Sequence, residues 1–164
     1  MSAIEIKATL SLSAVFFLRM LPLFMLLPVL SLTGDSYQAS TPQLLGIALG
    51  IYGLTQASLQ IPFGMLSDRF GRKPIICLGL VIFIIGSLIA AMSDSIYGLI
   101  LGRAIQGAGA IAAAIMALAA DLSTEQHRTK VMACIGISIG ISFSVAFVLG
   151  PFLYSYIDIN GLFY

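Results

Sequence analysis

Two arginines, Arg19 and Arg103, stand inside long apolar runs of the sequence. A guanidinium keeps its proton at any ordinary pH and offers N–H donors only, so it can hold an anion or a carbonyl but cannot itself carry a proton across. At the centre of a bilayer it costs at least ~2.5–3.5 kcal/mol, so each arginine should face a polar cavity or a bonded partner. The bland alternative is a structural arginine tied to helix carbonyls. Tyr52, Gln56 and Gln60 recur at i, i+4 and i+8 with Thr55 beside them, and Arg103, Gln106 and Gly107 fall on a second stripe continued by Ala110 and Ala114. Polar stripes on apolar helices either line a water-filled path or bond across helix interfaces. Two stripes with two arginines favour the path.

A second constellation lies in residues 64–74, where Asp68, Arg69, Arg72 and Lys73 share a turn with Gly64 and Gly71 between two apolar runs. Lipid cannot solvate such a turn, so it belongs at a membrane surface. Asp121 ends a later apolar run on the same side and is expected to pair with Arg72. An exposed pair contributes only ~0–1 kcal/mol, so its use would be orientation and switching rather than stability. Enzyme chemistry has no candidate: the sequence shows no nucleophile with a base, no metal cluster and no phosphate-cradling loop at a helix start. Cys77 and Cys134 lack the spacing of a metal or redox pair. His127, in the most polar stretch, reads as a solvated loop residue. No cofactor and no metal are expected.

The elements that must position these groups follow from composition. The 164 residues are 59% hydrophobic and 9% charged with a mean hydropathy of +1.05, where a soluble domain carries roughly 25% charged residues. This is an integral membrane protein of all-α class, a bundle of transmembrane helices whose first partner is the lipid bilayer. The net charge of +1 says nothing of nucleic acid, and with basic residues so few and dispersed no nucleic-acid partner is expected.

Spans need roughly 20 mostly apolar residues, and five complete ones fit residues 9–32, 43–66, 74–92, 96–120 and 130–153, with a sixth starting near residue 159. The first is too long for a signal-peptide core and has no small-residue cleavage site, so it should remain as a span. Lys7, Arg69, Arg72, Lys73, Arg128 and Lys130 all fall on one side, while the other carries Asp35, Asp94 and Asp158 and no base. The positive-inside rule then puts the amino terminus and the charged turn in the cytoplasm.

Gly46 with Gly50 and Gly136 with Gly140 have the spacing that lets helix backbones approach closely. Pro22, Pro28, Pro62 and Pro151 lie inside spans and favour kinks, whereas Pro74 suits a first helical turn. Residues 123–126, Ser-Thr-Glu-Gln, resemble a capping box opening a short surface helix before the fifth span.

The turn Gly64-Met65-Leu66-Ser67-Asp68-Arg69-Phe70-Gly71-Arg72-Lys73 resembles motif A of the major facilitator superfamily, with Ser67 where alanine is usual. Leu99, Arg103, Gln106, Gly107, Gly109 and Ala110 are spaced as in motif B of its fourth helix, with Ile111 where alanine is usual. Arg19-Met20-Leu21 and Pro28-Val29-Leu30 are similar to the drug:proton antiporter branch, and Gly150-Pro151 matches its fifth-helix motif, with Ala146 for a glycine and Tyr154 and Ser155 for the closing pair.

The resemblance implies a secondary transporter of small molecules, with drug efflux by proton antiport as the first expectation. A sugar or metabolite carrier, or a non-transporting membrane scaffold that binds partners, are the alternatives. It implies that Asp68 and an Arg72–Asp121 pair lock one state of the switch, and that Arg103 acts near the route of protons and substrate. It implies a bacterial inner-membrane protein whose amino-terminal six-helix half is only partly present. Alternating access needs two such halves, so the missing carboxy-terminal half or another copy is the expected partner. The chain alone is not expected to transport.

Overall fold

The computed structural model describes residues 3–33 and 37–154. Asp35, Ser155, Asp158 and the expected start of a sixth span lie outside them. The described residues form six helices: α1 (Ala3–Thr33), α2 (Pro42–Phe70), α3 (Arg72–Ala91), α4 (Ile96–Ala108), α5 (Ala112–Asp121) and α6 (Glu125–Tyr154). With α4 and α5 counted as one span, five segments are long and apolar enough to cross a membrane. No strand is present among the described residues beyond one isolated bridge.

Local signals set the helix ends. Thr41 caps α2 by accepting from the Leu44 N–H at 3.3 Å, and Pro42 opens the first turn, where its missing N–H leaves no bond unmade. Gly71 ends α2 at φ +96°, a conformation that favours glycine, and this lets α3 start at once with Arg72. Ser95 caps α4 through Gly98 N–H. Pro22, Pro28, Pro62 and Pro151 all sit within unbroken helices.

At the acidic end the two loops are clipped together. Gln38 N–H donates to Asp94 O at 3.1 Å and Ile96 N–H donates back to Gln38 O at 3.2 Å. Tyr37 is buried beside this clip; burial, and secondarily Asp94, pushes its phenol up to about 12.

Two apolar clusters hold the bundle. One, at the acidic end, gathers Leu26, Leu30, Ala48, Ala90, Ile96 and Leu99; the other gathers Phe16, Ile76, Ile111, Ile115, Val131 and Ile135. α4 is packed between α2 and α3, and α1 lies along α6. The α1–α6 contact includes the Ser142 hydroxyl donating to Phe17 O at 3.0 Å. Near Gly150 the helices come so close that a Cβ there would sit 2.9 Å from Met25 O.

Three sequence expectations change here. The fourth span is not one helix: residues 109–111 interrupt it. The spacing pairs Gly46 and Gly50, and Gly136 and Gly140, are not where backbones meet, since a Cβ at any of them would find nothing within 4 Å. The close approaches fall on glycines whose side of the helix faces a neighbour: Gly86 and Gly102 between α3 and α4, and Gly107 against Tyr52 and Thr55 of α2. Third, no separate surface helix precedes the fifth span, because α6 runs unbroken from Glu125 with Thr124 at its cap. His127 therefore lies in the first turn of α6 rather than in a loop, and is partly buried.

Candidate functional site

The charged turn is built on the abrupt α2–α3 junction. With Gly71 turning the chain, Arg72 projects back over the last turn of α2. Its Nη1 donates to Asp68 Oδ1 and, at 2.9 Å, to Ser67 Oγ, while its Nε donates to Asp121 Oδ2 at 3.1 Å. Ser67 is buried and spends its own proton on Gly64 O at 2.7 Å, so its lone pairs are free to receive the guanidinium. One guanidinium thus joins the ends of α2, α3 and α5. The two carboxylates stay largely exposed, with side chains 64% and 56% accessible. Such pairs orient more than they stabilise. Arg69 and Lys73 remain exposed on the turn, Arg69 stacking over Phe70. The sequence marks Ser67 only as standing where alanine is usual, and a serine in a turn gives no sign by itself of which donor it will receive.

Deeper, Arg103 is 2% exposed and is met by neutral groups. Nη1 donates to Gln106 Oε1 at 3.1 Å, Nε donates to Ala48 O at 3.4 Å, and the guanidinium carbon lies 4.8 Å above the centre of the Tyr52 ring. Gln106 passes the network on, its Nε2 donating to Ser87 Oγ at 2.7 Å, and Ser87 donates to Phe83 O. Ser87 is the α3 member that sequence pattern did not select. The cation–π contact and the amide acceptor supply what a buried guanidinium needs when no carboxylate is near.

Arg19, also 2% exposed, reaches the interruption of the fourth span. Its Nη2 donates to Gly109 O, the last carbonyl of the α4 end, and its guanidinium stacks on Phe83 at 5.7 Å. Helix ends leave carbonyls without partners, and non-helical backbone at membrane depth persists only when protein covers it. Ala110 and Ile111 are fully buried, and the turn closes on itself by short-range bonds, Ala110 N–H to Ala108 O and Ile111 N–H to Gly109 O. Arg19 Nε and Nη1 have no hydrogen-bond partner among the described residues. Arg19 borders a cavity of about 200 Å³ together with Val15, Leu18, Leu80 and Phe83.

The stripe on α2 divides. Tyr52 joins the arginines: its ring carries Arg103, and its hydroxyl is close enough to Arg19 to interact electrostatically. Thr55 turns back to its own helix, donating to Ile51 O and Tyr52 O. Gln56 and Gln60 are half-buried, each with a side-chain carbonyl lacking a partner, and neither is hydrogen-bonded to an arginine. Gly150 provides close packing, and Pro151 is exposed in the last turn of α6.

Residues 12–164 match the Major Facilitator Superfamily. The chain belongs to that superfamily. It is 59% identical over 160 residues to the inner membrane transport protein YajR of Escherichia coli, covering 98% of this chain and 35% of that protein. An uncharacterized transporter of Buchnera aphidicola from Acyrthosiphon pisum is 47% identical over all 164 residues and 42% of its own length. The class B tetracycline resistance protein of Escherichia coli is 32% identical over 108 residues, 65% of this chain and 27% of the relative. The chain thus spans little more than a third of its nearer curated relatives. As a member of the superfamily it is a multi-pass membrane protein of a transporter family, not an enzyme. The Arg72 cluster occupies the turn that resembles motif A of the superfamily, and the Arg103 network the helix that resembles motif B.

Proposed function

We propose that this chain is the amino-terminal part of a secondary active transporter that exports small, largely apolar compounds in exchange for protons across a bacterial inner membrane. The observation that carries the reading is the single guanidinium of Arg72 held at once by Asp68, Ser67 and Asp121. Short polar side chains at three helix ends, weakly stabilising and mostly exposed, form a connection that can be made in one arrangement and released in another. The basic end, with Lys7, Arg69, Arg72, Lys73, Arg128 and Lys130, lies in the cytoplasm. Asp68, Arg69, Arg72, Lys73 and Asp121, on the turn shaped by Gly64 and Gly71, are the switch. Arg19, Tyr52, Gln56, Gln60, Arg103 and Gln106 border the path. Gly150 and Pro151 set the fifth span against the first.

The path lacks an opposing wall in this chain, and the open glycine faces of α2 and α6, at Gly46, Gly50, Gly53, Gly136 and Gly140, mark where a carboxy-terminal half or another copy would pack. Among the described residues the hydrogen-bond partners of Arg19 and Arg103 are neutral, and in this reading the group that carries the proton belongs to the partner.

The test is a chimera in which this chain replaces the matching amino-terminal part of the Escherichia coli relative. In inverted membrane vesicles with an imposed proton gradient, the chimera is expected to drive ethidium uptake that a protonophore abolishes, while the 164-residue chain alone drives none. A chimera that inserts fully and moves neither ethidium nor protons would refute the reading.

A further inference from the structure

Also at the basic end, one side chain of α1 meets two from the start of α6. Glu5, in the first turn of α1, is 6% exposed. Its Oε1 accepts from the backbone N–H of Thr124 at 2.9 Å and from the Thr124 hydroxyl at 3.0 Å. His127 Nδ1 lies 2.9 Å from that hydroxyl oxygen and 3.4 Å from Glu5 Oε2.

Thr124 is the cap of α6, since its carbonyl accepts from the N–H groups of both His127 and Arg128 at 2.9 Å. The N–H groups that open a helix have no partner within it, and a carboxylate placed there answers both the missing bond and the helix dipole. In a local capping box a residue three positions on supplies that group. Here it arrives from another helix, 119 positions away.

The donors can be counted. An ionised carboxylate only accepts, and the threonine hydroxyl has one proton, which goes to Glu5. The short contact from Thr124 Oγ1 to His127 can then be satisfied only if His127 donates from Nδ1. The neutral ring is therefore held as the Nδ1–H tautomer, the minor one for histidine in water, and the charged ring keeps the same bond.

We infer that Glu5, Thr124 and His127 form a second latch at the basic end, tying α1 to the connection of residues 122–124 that Arg72 grips from α3 through Asp121. The two grips lie three residues apart, at Asp121 and Thr124. Movement of α3 at the charged turn is thereby passed to the first helix through a connection too short to absorb it. The latch does not depend on what is transported.

His127 is the one histidine of the sequence, so the chain labelled with ¹⁵N-histidine in lipid nanodiscs gives a single pair of ring-nitrogen signals. At pH 8.5 the wild-type ring is expected to carry its proton on Nδ1. Glu5→Gln is expected to move that proton to Nε2 and to speed exchange of the Thr124 amide about tenfold, as loss of a local bond allows. Thr124→Val, which keeps the amide and removes the hydroxyl, is expected to release the ring and leave that amide protected. Should Glu5→Gln not accumulate, the wild-type ring and Thr124→Val decide the matter. A wild-type ring protonated on Nε2, or a Thr124 amide indifferent to Glu5→Gln, overturns the latch.

Discussion

Gly86→Val is expected to abolish the folded bundle, although it alters no charged residue. A Cβ at Gly86 would lie 2.4 Å from the Gln106 backbone nitrogen and 2.7 Å from Gly102 O. Overpacking a core commonly costs about 1–3 kcal/mol, but that figure assumes side chains able to move aside. Here the nearest atoms are backbone of α4, which is itself wedged between α2 and α3, so the helices must separate. Separation would also part Gln106 of α4 from Ser87 of α3. Gly136→Ala is the control, since a Cβ there meets nothing within 4 Å. The thermal midpoint of the chain in detergent should be unchanged for Gly136→Ala and lost or sharply lowered for Gly86→Val. Equal midpoints would mean that α3 and α4 are not in contact at these glycines.

The second large effect is local. Arg19→Met removes a buried charge, which relieves an insertion cost of at least ~2.5–3.5 kcal/mol. It also leaves Gly109 O buried without its donor, at about 1–3 kcal/mol. The two nearly offset, so overall stability should change little. The interruption of the fourth span, however, loses the bond from Arg19, the one long-range hydrogen bond it has among the described residues. Hydrogen exchange of the amides at residues 110–113 is expected to rise about tenfold in Arg19→Met, the range seen when a local opening is freed. Arg19→Lys, whose ammonium can still donate to a carbonyl, should recover part of the protection. Unchanged exchange in Arg19→Met would show that the interruption is held by packing alone.

These two cases also show what could be read from the chain beforehand. The five spans are visible because lipid demands long apolar runs with charges at their ends, and that pattern is carried residue by residue. Arg72 with Asp121 could be expected because both fall at the same end of known spans. The interruption at residues 109–111 could not: Gly107, Ala108, Gly109 and Ala110 look like a small-residue stretch of ordinary helix. It is the approach of Gly79 to Gly109 and Ile111, where a Cβ on Gly109 would lie 2.3 Å from Gly79 O, together with Arg19 at the freed carbonyl, that makes the interrupted form fit. Glycine spacing misled for a related reason. A repeat of four positions shows that small residues share a face, not that another helix covers it: Gly98 and Gly102 on α4 have the same spacing as Gly46 and Gly50, yet Gly102 meets Ala90 of α3 while a Cβ on Gly46 or Gly50 would meet nothing within 4 Å. His127 looked solvated when read alone and Glu5 drew no reading, and only tertiary packing brings Glu5 to the cap of α6.

The most direct test of the account is proton-driven ethidium uptake by the chimera carrying Arg103→Ala, with Arg103→Lys beside it. Arg103 is the centre of the buried network, bonded to Gln106 and Ala48 and stacked on Tyr52. If that network borders the path, Arg103→Ala should reduce both ethidium uptake and the accompanying proton flux to the level of empty vesicles. Arg103→Lys should keep a fraction, since it preserves the charge but not the planar donor set. Arg103→Ala protein that inserts normally and leaves both fluxes intact would contradict the account.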